Sequence, residues 1–256
     1  ARCYTDGHTT ILEFDNVLLR LDQSEEPVVQ LWVKRCPPRP DATLAHATSF
    51  AVCSALRRCG LFELHSAGVV TPDNNSAVLI AGGSGSGKST LTLQLAKTGW
   101  GYLSDDLLLL DRAAGEVEVC GFRRFFAVNQ SVSTFAAAEG SSTSEEQYKT
   151  KINPDEHFPT GHVVRHLPRT LLFSTVTGEQ RSRLSPLTQA ETMGRLIRLS
   201  PWATYDKGTA KENLMTLAQL ARQSGAFDLF AGADLLDSTY ASNLLRSFVG
   251  NQAYAT

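Results

Sequence analysis

The run Gly82-Gly83-Ser84-Gly85-Ser86-Gly87-Lys88-Ser89-Thr90 carries the densest chemistry in the sequence. It fits G-x-x-x-x-G-K-[ST] in full, a pattern in which glycines let backbone N–H groups turn inward around phosphates, the lysine reaches the outer phosphates and the hydroxyl ligates Mg2+. Lys88 and Ser89 take those two places. Shortly afterwards Asp105 and Asp106 stand together at the head of the apolar run LLLL. Successive side chains on a regular strand point to opposite faces, so both carboxylates reach one mouth only where the backbone is irregular. Together they offer what phosphoryl transfer needs, one carboxylate for Mg2+ and one for the proton of a hydroxyl nucleophile. The plainer reading of the pair is a turn or a cap.

The elements around the motif supply its context. The apolar stretch SAVLIAG reads as a central strand ahead of the glycines, and a helix runs from about Gly87 to Thr98 with Gly99 at its end. A phosphate seated there meets the positive end of that helix. A phosphate cradle does not by itself name a reaction. A guanine-reading NKxD segment and an LSGGQ-type helix start are both absent from the sequence, which argues against switch GTPases and transport ATPases. Asp111, closing LLLLD, has the Walker B form of the magnesium ligand, four apolar residues and an aspartate, but lies at the far end of its strand, beside the turn RAAGE.

Composition bounds the rest. With 256 residues, 42% hydrophobic and 20% charged, the chain can bury a substantial core. A net charge of −2 offers no field for nucleic acid or a membrane surface. Cysteines 3, 36, 53, 59 and 120 form no CxxC pair, so neither a disulfide framework nor a zinc site is expected. The expected location is cytoplasmic, and Ala1 in place of Met suggests trimming. Short β-rich runs fill residues 1–40 ahead of the proline cluster CPPRP. A helix capped by Asp41 ends at Arg57, Arg58 and Gly60, and LFELH follows as a strand. Residues 140–162 read as a polar loop of the length typical of lids. RTLLFSTV and AFDLFAG are further strands; helices are expected from Ser185-Pro186, over Lys211 to Ser224, and over Ser238 to Phe248.

LFELHSAGVV, followed by AVLIAGGSGSGKSTLTLQLAKTGWGYLSDDLLLL, resembles the catalytic core of the HPr kinase/phosphorylase family, and more closely its shorter bacterial relatives, some of which serve in modified-peptide pathways. In that family an LH histidine, the P-loop, a glycine-aromatic turn and an Asp-Asp pair follow one another. His65, residues 82–89, TGWGYLSDD and Asp105-Asp106 stand in those places. The likeness is specific over about 44–120 and general over LPRTLLFSTVTGEQRSRLSPLTQAETMGRLIRLS. It implies an α/β P-loop kinase core of the phosphoenolpyruvate-carboxykinase-like type, with a mixed central sheet flanked by helices, over 41–256, and a small β-rich segment over 1–40. It implies an ATP- and Mg2+-dependent kinase that moves the γ-phosphoryl group to a serine-type hydroxyl of a peptide, protein or small molecule. His65 is then the residue that orients the catalytic carboxylate, Asp105 the general base and Asp106, with Ser89, the metal ligand, the two aspartate roles being exchangeable. Larger members form hexamers, which implies a homo-oligomer whose neighbouring subunit reaches the site.

About forty β-rich residues stand where the larger members carry a regulatory domain, so HPr itself is not the expected acceptor. Nor does a glycine-rich segment for the reverse, phosphorolytic reaction appear, which favours the forward kinase. Arg123, Arg124, Lys149 and Lys151 could clamp a triphosphate or an acidic substrate, against the plainer reading as solvated surface. His157, His162 and His166 lack the carboxylate company of a metal site, and Trp32, Trp100 and Trp202 read as packing residues. The competing reading of the whole chain is a non-catalytic ATP-binding regulatory or assembly subunit, with a small-molecule kinase as a further variant.

Overall fold

The computed structural model describes residues 2–6, 9–14, 16–22, 28–34, 42–113, 115–122, 126–129, 149–159 and 161–252. Asp41, Arg123, Arg124 and residues 140–148 lie outside them. The described residues form a mixed α/β structure in two units, one of residues 1–63 with 202–213, the other of 64–201 with 214–256.

The first unit opens with four strands, β1 (Arg2–Thr5), β2 (Thr9–Glu13), β3 (Val17–Asp22) and β4 (Val28–Val33), paired antiparallel in chain order. Val17, Leu19 and Leu21 are buried while the residues between them are not, the period-2 pattern of a sheet with one packed face. Helix α1 (Ala42–Arg58) covers that face through Phe50 and Ala51. The chain turns at Gly60, φ 79°, into β5 (Leu61–Leu64). The end of α1 buries a charge. Arg57, 1% exposed, donates to Ser54 Oγ at 2.8 Å, to Asp206 Oδ2 at 3.0 Å and to Glu63 Oε1, and its guanidinium lies 4.9 Å from the Trp202 ring centroid. Arg58 adds a second contact to Asp206 at 3.1 Å.

In the second unit the elements are β6 (Ser66–Val70), β7 (Ala77–Ala81), α2 (Lys88–Ala96), β8 (Gly101–Ser104), β9 (Leu108–Ala113), β10 (Glu116–Gly121), β11 (Phe126–Asn129), β12 (Lys149–Ile152), α3 (Pro154–His157), β13 (Arg165–His166), β14 (Pro168–Val176), β15 (Arg183–Pro186) and α4 (Gln189–Leu199). Helix α5 (Trp202–Tyr205) and the first residues of α6 (Ala210–Gln223) belong to the first unit; the rest of α6, β16 (Gly225–Ala231), a 3-10 turn (Ala233–Leu236) and α7 (Ser238–Gln252) belong to the second. Six strands make the main sheet, in the order β15-β16-β14-β7-β6-β8. Its centre, β16, β14 and β7, is parallel; β15, β6 and β8 join antiparallel. Every residue of β7 is buried, as a strand covered on both faces requires. Val69, Val78, Ile80, Leu172 and Leu229 of the sheet pack with Leu91 and Leu95 of α2, Leu245 of α7 and Trp100. The Trp100 indole N–H donates to Ser242 Oγ at 2.9 Å, which identifies this tryptophan as a core residue.

Three expectations from the sequence change. The run YLSDDLLLL is two strands, β8 and β9, with Asp105 and Asp106 in the bend between them. Ser185 and Pro186 belong to β15, and α4 begins only after Thr188, whose hydroxyl accepts from Glu191 N while the Glu191 carboxylate accepts from Thr188 N. That reciprocal capping box outweighs the proline as a start signal. Of the polar stretch 140–162, residues 149–157 hold β12 and α3, fastened by the Tyr102 hydroxyl to Asp155 Oδ1 at 2.5 Å.

The charges around Arg57 give a pH signature. Burial raises the Asp206 carboxyl, but the charges of Arg58 and Arg57 and their hydrogen bonds outweigh it and hold the group below its usual 3.8. Its stabilising contribution is therefore present above pH 3.8 and lost as pH falls through the depressed folded value. Glu63 goes the other way, since burial pushes it above 4.5 despite the Arg57 charge; its contribution is present below pH 4.5 and fades as pH rises through the folded value. Asp206→Asn is expected to cost about 3–5 kcal/mol at pH 7, the scale for breaking one partner out of a buried ion pair. It also flattens the acid limb of stability below about pH 4. Denaturant titrations across pH 3–8 read both effects; an acid limb unchanged in the variant refutes the assignment.

Candidate functional site

Two strand registers bring the candidate residues together. Because β6 pairs antiparallel with β7, Ser66 against Ala81, the residue before β6 and the residue after β7 share one end of the sheet. These are His65 and Gly82. Strand β8 pairs antiparallel with β6 on its other side, Ser104 against Gly68, so the chain leaving Ser104 runs toward that same end. A register shift between Gly68 and Val69 bends β8 there, and Ser104 Oγ accepts long bonds from the N–H groups of Asp106 and Leu107, at 3.5 and 3.4 Å.

The outcome is a chain of three side chains. Lys88 Nζ lies 2.8 Å from Gly82 O, 3.1 Å from Gly83 O and 3.3 Å from His65 Nε2, and His65 Nδ1 lies 3.2 Å from Asp106 Oδ1. An ammonium group only donates, so the nitrogen facing it presents a lone pair and the imidazole proton resides on Nδ1, donating to Asp106. Lysine and aspartate thus fix the tautomer of the histidine between them. Lys88 is buried, whereas the His65 and Asp106 side chains are 41% and 37% exposed. Asp105 is 1% exposed, so the adjacent aspartates occupy different surroundings. Asp111 lies on β9, outside the main sheet, in an ion pair with Arg165 at 2.9 Å.

The glycine loop between β7 and α2 has the backbone that its composition implies. Gly82, Gly85 and Gly87 take φ of 154°, 80° and 88°, and a Cβ on Gly82 falls 2.6 Å from Ser86 Oγ and 2.7 Å from Ser174 O. Gly87 caps α2 with no side chain, and the first turn of α2 carries no acidic residue. Its N–H groups have no intrahelical partners and form a seat for an anion. Ser86 Oγ is buried with no hydrogen-bond partner among the described residues. A cradle that excludes a Cβ, an uncapped helix start and an orphaned hydroxyl are the features a phosphate chain fits.

Among the described residues no group of three or more His, Cys, Asp or Glu could hold a metal by itself. Magnesium in phosphate sites needs only one or two side chains because it keeps waters and phosphate oxygens, so a set smaller than three suffices there. His166 faces the carbonyl oxygens of Leu167 and Asn74, and His162 lies against the Tyr102 ring. Lys149 falls on β12, in a two-stranded sheet with β11. The sequence reading missed Ser174, whose hydroxyl donates to Ser86 O at 2.7 Å. Its only signal is a small polar residue near the end of an apolar strand.

No protein-family model and no curated protein matches this chain. Among solved structures, the Hpr(Ser) kinase/phosphatase from Coxiella burnetii is similar at a TM-score of 0.41 and 12% identity, over 75% of this chain and 98% of that one. So loose a likeness carries no argument about the site, which stands on its own geometry. No helix among the described residues is long and apolar enough to cross a membrane.

Two glycines separate the loop's requirements. Gly82→Ala places its Cβ against Ser86 Oγ and a backbone oxygen, while a Cβ on Gly83 meets nothing within 4 Å. Gly82→Ala is expected to lose about 1–3 kcal/mol and Gly83→Ala about 0.5 kcal/mol or less. Chemical denaturation of both variants checks this, and equal losses would contradict the described loop.

Proposed function

We propose that this chain is an ATP- and Mg2+-dependent kinase that transfers the γ-phosphoryl group to a serine-type hydroxyl of a peptide, protein or small molecule. The observation that carries the reading is the Lys88–His65–Asp106 chain at the mouth of the glycine loop. A nucleotide sensor needs the lysine and the loop; it has no use for a half-exposed carboxylate oriented by a histidine beside them.

In this reading the N–H groups of residues 82–89 and the Lys88 ammonium hold the phosphates, and Ser89 with one aspartate of the pair holds the metal. Bound Mg2+ supplies charge neutralisation for the phosphoryl oxygens. Asp106 accepts the proton of the acceptor hydroxyl, with His65 fixing its orientation through Nδ1–H. Exposure favours this division over the reverse, because Asp106 is open to an acceptor and Asp105 is almost fully enclosed. Positioning and electrostatic stabilisation account for most of the rate in such a mechanism. Acceptor selection falls to loops, and a homo-oligomer that completes the site from a neighbouring subunit belongs to the same proposal.

The test is γ-32P transfer from ATP with Mg2+ to serine-containing peptides and small hydroxyl compounds. Lys88→Ala and Asp106→Asn are each expected to lower turnover about 10²-fold or more, the scale for losing a phosphate contact or a general base. Asp106→Asn at the wild-type rate removes the base assignment. Measurable ATP binding with no labelled acceptor favours the regulatory subunit instead.

A further inference from the structure

The glycine loop is supported from the side by the end of β14, a contact that the proposed chemistry has not used. Ser174, 4% exposed, donates its hydroxyl to Ser86 O at 2.7 Å, and its own carbonyl oxygen lies 2.7 Å from the place a Cβ on Gly82 would take. Two residues on, Val176 Cγ2 lies 3.2 Å from a Cβ built on Gly87. Strand β14 is paired with β7 as far as Phe173 and with β16 through Val176, so Ser174 is held on the β16 side. The loop after it is fastened by Thr177 N to Ala231 O at 3.1 Å, by Ala233 N to Glu179 O at 2.8 Å and by Ser182 N to Asp234 Oδ2 at 2.9 Å. The donor that touches the glycine loop therefore stands one residue past the last pair with β7, on a strand end held by β16 and by the three bonds of the loop that follows.

The bond acts on one peptide plane. The Ser86–Gly87 peptide is trans, as are all those described, so its carbonyl and the Gly87 N–H point in opposite directions. Holding the carbonyl toward β14 aims the Gly87 N–H away from β14. Gly87, with φ 88° and no side chain, has nothing of its own to fix that plane. We infer that Ser174 is a positioning residue for phosphate binding: its hydroxyl locks the Ser86–Gly87 peptide in the orientation that presents the Gly87 N–H to a phosphate oxygen. This rests on the kinase reading of the loop. Ser174 itself touches no ligand.

The experiment is isothermal titration of wild type, Ser174→Ala and Ser174→Thr with ATP and, separately, with inorganic pyrophosphate, beside thermal melts of each. Ser174→Ala is expected to bind both ligands roughly 3- to 10-fold more weakly, the equivalent of one net hydrogen bond, while Ser174→Thr, which keeps the hydroxyl, recovers most of the affinity. A merely structural serine would lower the melting temperature and leave pyrophosphate binding unchanged. Wild-type affinity for pyrophosphate in Ser174→Ala overturns the inference and leaves the kinase reading standing. No binding of either ligand by the wild type removes both. If Ser174→Ala fails to fold, Ser174→Cys, a weak donor of similar size, takes its place with the same two outcomes.

Discussion

The antiparallel register between β6 and β7 decides which side chain meets the lysine. With Ser66 opposite Ala81, the next residue outward on one strand is His65 and on the other is Gly82. A slip of one residue would turn each β6 side chain to the other face of the sheet and take the imidazole away from Lys88. Strand β6 resists such a slip because all of Ser66–Val70 is buried, and Ala67 and Val69 belong to the same core as Val78 and Ile80 of β7. The chemistry at one end of the sheet is thus specified by packing along its middle.

A second constraint comes from the other neighbour of β7. The parallel strand β14 ends against the glycine loop, so the loop is bounded by β6 and its histidine on one side and by β14 and its serine on the other. Glycine freedom alone would leave residues 82–87 with many conformations. The flanking strands remove that freedom from outside, and the loop needs no stiff residues of its own. The same arrangement explains the separation of Asp105 from Asp106. A bend after β8 directs one toward His65 and encloses the other, which a continuous strand cannot do with neighbouring residues.

Much of this was legible in the sequence where residue types carry geometry. The glycines and Lys88 located strand, loop and helix because few other sequences tolerate that backbone, and SAVLIAG announced a fully covered strand. The resemblance paired His65 with Asp105 as the base, whereas the structure sets its Nδ1 3.2 Å from Asp106; which aspartate it meets depends on two inter-strand registers and could not be derived from spacing. The end of one strand inside YLSDDLLLL was missed because the polar break Ser104-Asp105-Asp106 reads equally well as the irregular head of the strand that follows. Pro186 misled as a helix start because proline also suits an edge strand, which β15 is; Thr188 and Glu191 held the better signal. Ser174 was missed because a serine that donates to a distant carbonyl leaves no pattern along the chain.

The buried arginine of the first unit has a consequence for how the chain is made. Arg57 is satisfied in part by Asp206, 149 residues further along, and it lies beside the ring of Trp202. At ordinary ribosomal speeds of about 5–20 residues per second, roughly 7 to 30 seconds separate the synthesis of the two partners. During that interval the guanidinium lacks this carboxylate and the α1 terminus that carries it cannot close. The strands that emerge first are therefore not the part completed first, and a chain halted before residue 206 leaves its N-terminal unit unfinished however long it waits.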